Sequence, residues 1–125
     1  MHIQGLDHFG IDVRNLAKAE DFYCGVLGLQ LDRRLGDQIL MRCGNQMLAL
    51  FERPDLPPPD PVTIRNPLGK SHHAFLVSEA DFAEAQRRFA ERAVPCHTPI
   101  HWGDHECLYF LDPDGNLLEL VTPPR

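Results

Sequence analysis

A chain of 125 residues with 43% hydrophobic and 24% charged side chains has the length and balance of one globular domain with its own core. Its net charge of −6 excludes nucleic acid as a partner, because phosphate binding needs a basic face. No apolar run reaches membrane-spanning length and residues 1–13 do not resemble a signal peptide, so no membrane partner is expected. Cys24, Cys43, Cys96 and Cys107 form no C-x-x-C pair, which predicts reduced thiols and a cytoplasmic location.

The first element is a strand over residues 5–13, where Phe9, Ile11 and Val13 share one face and His8, Gly10 and Asp12 the other. Asn15 is the expected cap of a helix carrying Leu16, Ala19, Phe22, Tyr23, Val26 and Leu27 at helical spacing, stopped by Gly28. Strands follow at 30–35, 38–43 and 46–52, parted by the turn signals Gly36-Asp37 and Gly44-Asn45. Residues 53–71 hold six of the eleven prolines and read as a semi-extended linker.

The same order then repeats. A strand at 72–77 leads through Ser78, a helix cap with Asp81 three residues on, to a helix bearing Phe82, Ala85 and Phe89. Strands at 96–100, 106–111 and 116–121 complete the second unit. Module one is thus 1–52, the linker 53–71 and module two 72–125. Two βαβββ modules define an α+β fold of curled mixed sheets, with helices on one face and a cup on the other.

Alternation tests which side chains enter that cup. With Phe9, Phe75, Leu118 and Leu120 against the helices, His8, His72 and Glu119 all fall on the open face. Two imidazoles and one carboxylate on rigid strands form a candidate metal site, with open positions suiting Fe(II) or Mn(II), and zinc, nickel or cobalt as further options. The loop Asp112-Pro113-Asp114-Gly115-Asn116 fits a three-residue hairpin that sets Tyr109 opposite Glu119, as a candidate weak acid. His97, His101 and His105 cluster with Trp102 before the seventh strand, and His101 and His105 are candidate bases. Phe51, Trp102, Leu117 and Val121 are candidates to line the substrate cup.

Four segments carry a resemblance: 6–13, the Phe22-Tyr23 to Gly28-Leu29 stretch, 72–77, and Tyr109-Phe110-Leu111-Asp112-Pro113-Asp114-Gly115-Asn116 through Glu119-Leu120. In them the chain looks like a member of the vicinal oxygen chelate superfamily, which includes glyoxalase I, fosfomycin-resistance thiol transferases, bleomycin-sequestering proteins and extradiol dioxygenases. The resemblance implies a divalent-metal enzyme on a small substrate chelating through two oxygens, with module exchange in a homodimer. A fourth ligand, usual in glyoxalase I, falls at Leu48 or Ala49, which cannot bind metal. Fosfomycin enzymes place threonine two residues after the first histidine, where Gly10 stands, and carry a serine- and lysine-rich loop where 99–104 reads Pro-Ile-His-Trp-Gly-Asp. Extradiol ring cleavage is therefore the expected chemistry. Glyoxalase-type isomerisation, thiol transfer and drug or metabolite sequestration without turnover are the alternatives.

Overall fold

The computed structural model describes residues 1–125, which form two compact units, Met1–Pro57 and Pro58–Arg125. Each is an α+β unit built on one four-stranded mixed sheet. In the first, β1 (His8–Val13), β2 (Gln30–Leu35), β3 (Gln38–Cys43) and β4 (Gln46–Glu52) are ordered β1-β4-β3-β2. β1 runs parallel to β4, and the other neighbours are antiparallel. In the second, β5 (His73–Leu76), β6 (Ile100–His101), β7 (Glu106–Leu111) and β8 (Leu117–Val121) are ordered β5-β8-β7-β6 with the same directions. The duplication read in the sequence is therefore a duplication of topology.

Helix α1 (Leu16–Glu20) starts where the Asn15 side chain accepts from the Lys18 N–H at 3.0 Å. It does not continue as a regular helix. Asp21–Val26 forms a wider turn, in which the Leu27 N–H reaches back five residues to Phe22 O at 3.0 Å. The consecutive aromatics Phe22 and Tyr23 are both buried there, edge to face at 5.3 Å. Gly28 at φ +80 then ends the element. Its apolar side covers the buried face of the sheet, with Ile11, Val13, Ile39, Met41, Leu48 and Leu50.

Helix α2 (Glu79–Glu91) is capped by Ser78, whose hydroxyl accepts from the Asp81 N–H at 3.0 Å. Phe82 and Phe89 are buried on it, and Phe89 packs on Phe110 of β7 with ring centroids 4.7 Å apart. Leu108, Leu118 and Leu120 complete that layer. The expected strand at 96–100 is much reduced. Cys96 makes one isolated bridge to Phe110, and only Ile100–His101 is a strand.

The proline segment departs from a semi-extended linker. Pro61–Arg65 is a short 3-10 helix, started by the Asp60 carboxylate accepting from the Val62 N–H at 2.9 Å. Its Ile64 packs on the helix-free face of the second sheet, against a cluster of Cys107, Tyr109, Leu111 and Leu117. Proline disfavours regular helix but is well suited to the first position of such a turn. Pro59 also sits on the β7–β8 turn, where a Cβ on Gly115 would lie 2.7 Å from Pro59 Cβ. No helix of the chain is long and apolar enough to cross a membrane.

Gly115 carries two demands at once, since its φ is +82 and its α-carbon has no room for a methyl group. Gly115→Ala should cost about 2–3 kcal/mol, seen as a melting temperature lower by about 10 °C. Gly36→Ala has the same kind of φ, at +60, but open space around it, and should cost roughly half as much. Equal losses in the two variants would show that the Pro59 contact contributes nothing.

Candidate functional site

The hairpin joining β7 to β8 sets the geometry of the candidate site. Asp112 is buried, and its carboxylate accepts from the backbone N–H groups of Asp114 (2.9 Å) and Asn116 (2.8 Å) and from the Asn116 amide (2.8 Å). The Asp112 N–H donates to Asn116 O at 3.1 Å, closing the three-residue loop 113–115 expected from the sequence. With that loop closed, Tyr109 pairs directly with Glu119, Cys107 with Val121 and Leu111 with Leu117, all on the face away from α2.

His72, just before β5, reaches this face from the other side of β8. Its Nε2 lies 2.8 Å from Glu119 Oε2, and its ring stands edge-on to Tyr109 with centroids 5.1 Å apart. Glu119 is nearly buried, on the face of β8 that it shares with Tyr109 and Cys107 of β7. Burial, then the Glu119 charge, raises the Tyr109 phenol above its usual value, so it is an O–H donor at neutral pH. Burial pushes the Cys107 thiol up to about 11, with the bond from the Trp102 indole opposing and the nearby Glu119 charge adding.

The His72 ring poses a proton question with chemical content. Its Nδ1 lies 2.7 Å from the Lys70 carbonyl, which can only accept, so Nδ1 carries the hydrogen. A neutral ring then turns a bare Nε2 lone pair towards a carboxylate. Two acceptors at 2.8 Å repel unless a proton or a cation sits between them. The donor set of an imidazole Nε2 and a carboxylate suits a divalent cation.

His8 opens β1 in the first unit and is exposed, its Nδ1 held by Asp7 Oδ2 at 2.8 Å with Nε2 left outward. Register shows the equivalence of the two units. Ala74, two residues beyond His72, pairs with Glu119, while Gly10, two residues beyond His8, pairs with Ala49. The place matching Glu119 in the first unit is therefore Ala49, which has no donor atom. Within either unit no three His, Cys, Asp or Glu side chains converge as a ligand group.

The other sequence candidates are placed unevenly. Leu117 and Val121 lie on the Glu119 face of β8. Trp102 is half-exposed, and its indole N–H donates to Cys107 Sγ at 3.2 Å. Phe51 lies over Gly10 in the first unit, where a Cβ on Gly10 would come within 3.0 Å of its ring, and the Arg53 guanidinium sits 5.7 Å from its centroid. His101 pairs with Glu106, on the face opposite Tyr109, and binds its carboxylate at 2.6 Å with its ring largely in solvent. His105 bonds Asp104 at 2.6 Å and stacks on Trp102. Neither of these imidazoles joins the His72, Tyr109 and Glu119 group. His97 bonds Thr98 O at 2.9 Å. Cys107 is the participant that sequence reading passed over, although alternation from Tyr109 puts it on the same face.

A family model, the Glyoxalase/Bleomycin resistance protein/Dioxygenase superfamily, matches residues 5–120. Glutathione transferase FosA of Serratia marcescens is 31% identical, over 94% of this chain and 80% of that protein. Catechol-2,3-dioxygenase of Bacillus subtilis is 30% identical over 90% of this chain, but only 39% of its own length is covered. The crystal structure of the fosfomycin resistance protein FosX of Listeria monocytogenes superposes with a TM-score of 0.80 at 20% identity, over 98% of this chain and 95% of that one.

The phenol gives a direct check on this geometry. In metal-free protein, the phenolate absorbance lost in Tyr109→Phe should titrate above the ordinary value of 10.0. Glu119→Gln should bring that midpoint part of the way down, because the charge is removed while burial remains. A midpoint at or below the ordinary value would mean that Tyr109 does not face the carboxylate.

Proposed function

Because the chain belongs to the glyoxalase/bleomycin resistance protein/dioxygenase superfamily, we propose that it is a divalent-metal-dependent enzyme acting on a small substrate that chelates the cation through two neighbouring oxygens. The ligands in this reading are His72 and Glu119, with His8 as the third by its equivalent place on β1. The observation that carries it is the 2.8 Å approach of His72 Nε2 to Glu119 Oε2 while Nδ1 is committed to a carbonyl. Such a ring, oriented by its second nitrogen, is the usual form of a metal-binding histidine. Two imidazoles and one carboxylate favour Fe(II) or Mn(II), ahead of zinc, nickel or cobalt. A cation there would supply Lewis-acid polarisation and a template for adjacent oxygens.

The chain's own groups then have distinct tasks. Lys70 O and Asp7 fix the two rings. Tyr109, protonated and beside Glu119, offers its hydroxyl hydrogen to a substrate oxygen entering the same face. Leu117, Val121 and the half-exposed Trp102 give that face an apolar surround, which excludes water and fits a compact aromatic substrate.

Ring-cleaving dioxygenase chemistry is the reading these surroundings favour. The strands around Glu119 contribute no lysine or arginine to that face, which suits a neutral aromatic ring more than a phosphonate. Phe51 also fills the space a threonine at position 10 would need. Thiol transfer is the second reading, supported by a match covering 80% of the thiol-transferase relative against 39% of the dioxygenase.

Protein purified without chelator should carry about one Fe or Mn per chain and consume oxygen with a catechol. Release of metal should abolish uptake, and Fe(II) or Mn(II) should restore it. His72→Ala should weaken metal binding by more than the roughly 10–100-fold seen for outer partners, with the fold intact by circular dichroism. Thiol consumption without oxygen uptake would select the second reading. Wild-type metal retention by His72→Ala would remove that histidine from the ligand set.

A further inference from the structure

We propose that Trp102 is the surface on which an aromatic substrate ring stacks, and that His105, itself held by Asp104, is the residue that positions the indole for it. The inference rests on the reading of the Glu119 face as a cation site for a chelating substrate. It adds the means by which that site selects aromatic chelators over aliphatic ones.

Trp102 and His105 stand opposite each other across the turn from β6 to β7, where the Trp102 N–H donates to His105 O at 2.9 Å. Gly103 bends the chain between them at φ +95, a conformation that tight hairpins reserve for glycine. Ile100 pairs with Cys107, so alternation puts both rings on the side of those two residues. Cys107 lies one residue pair along from Tyr109 and Glu119 on their own face. The two ring planes are 19° apart with centroids at 6.5 Å, an offset stack.

The indole is held at more than one edge. Its Nε1–H donates to Cys107 Sγ at 3.2 Å, which fixes the rotation of the ring, and the His105 imidazole lies along it. His105 is fixed in turn, since its Nδ1 lies 2.6 Å from Asp104 Oδ1, an acceptor that keeps the hydrogen on that nitrogen. The turn is tied down as well, because Asp104 O accepts from the Arg125 N–H at 2.8 Å and the Arg125 guanidinium reaches Glu106 at 3.1 Å. Yet 51% of Trp102 remains exposed. A large flat side chain that is already immobile loses little freedom when a ligand ring covers it, so its apolar area goes into binding.

The test uses full-length protein loaded with MnCl2 and two chelators, benzohydroxamate and acetohydroxamate, which offer a cation the same two oxygens and differ in the ring. Calorimetry reads both affinities. Wild type should prefer benzohydroxamate about 5-fold beyond the ratio that Mn2+ shows in buffer, the size expected of one aromatic pair. Trp102→Leu, which keeps apolar bulk without a ring, should lose that preference and leave acetohydroxamate binding unchanged. His105→Ala should cut the preference to about 2-fold, and His105→Phe, which keeps a flat ring beside the indole, should restore it. The His105 side chain is 33% exposed in a turn, so His105→Ala carries the test if Trp102→Leu folds poorly. Trp102 is the chain's one tryptophan, and acrylamide should quench its emission more in metal-free His105→Ala than in wild type or His105→Phe. An unchanged preference in Trp102→Leu would overturn the stacking surface, and equal preferences in His105→Ala and His105→Phe would overturn the positioning role. Wild type that takes up Mn2+ and both chelators without preference overturns this inference alone. Wild type that takes up no Mn2+ overturns the ligand reading with it.

Discussion

The buried Asp112 carboxylate is the constraint on which the second unit depends. By accepting from two backbone amides and the Asn116 side chain, it closes the β7–β8 loop at one length. Loop length sets register, and register decides which face each side chain occupies. A slip of one residue would carry Glu119 into the layer of Phe89, Phe110 and Leu118, where a carboxylate has no partner and costs several kcal/mol. It would also part Tyr109 from Glu119. A polar turn remote from the chemistry thus fixes the acid, the phenol and the thiol relative to one another.

Duplication gives the two units one topology and different surfaces. Both open on a histidine whose Nδ1 is held locally, by Asp7 in one case and Lys70 O in the other. They diverge two residues on, where Gly10 faces Ala49 and Ala74 faces Glu119. Gly10 leaves room for the Phe51 ring that lies across it in the first unit, whereas the second carries Glu119 on the same face as Tyr109 and Cys107 of the adjacent strand. The same backbone thus offers hydrocarbon in one copy and donor atoms in the other.

Much of this was legible in the sequence, for identifiable reasons. Period-two alternation is strict in strands, so the faces of Glu119, Leu118 and Leu120 followed once the helix side was chosen. The turn residues at 112–116 gave the opposition of Tyr109 and Glu119. Other features depend on contacts that no local pattern encodes. The widened turn at Asp21–Val26 accompanies two adjacent buried aromatics, and the 3-10 turn at Pro61–Arg65 docks through Ile64 and Pro59 on residues fifty positions away. The side taken by His101, a candidate base, depends on strand pairing: the expected strand at 96–100 is reduced to Ile100–His101, and pairing Ile100 with Cys107 turns His101 to the face opposite Tyr109. Cys107 escaped notice because a lone cysteine carries no spacing signal.

The alanine at position 49 bears on electrostatics as well as on shape. Two uncharged rings and a single acid offset only half the charge of a dication, so in the proposed reading the centre retains a surplus of about one positive unit. A fourth, acidic donor would have neutralised it. That surplus would draw in a substrate that gives up a proton on arrival, and it would do so without any lysine or arginine in the surrounding strands.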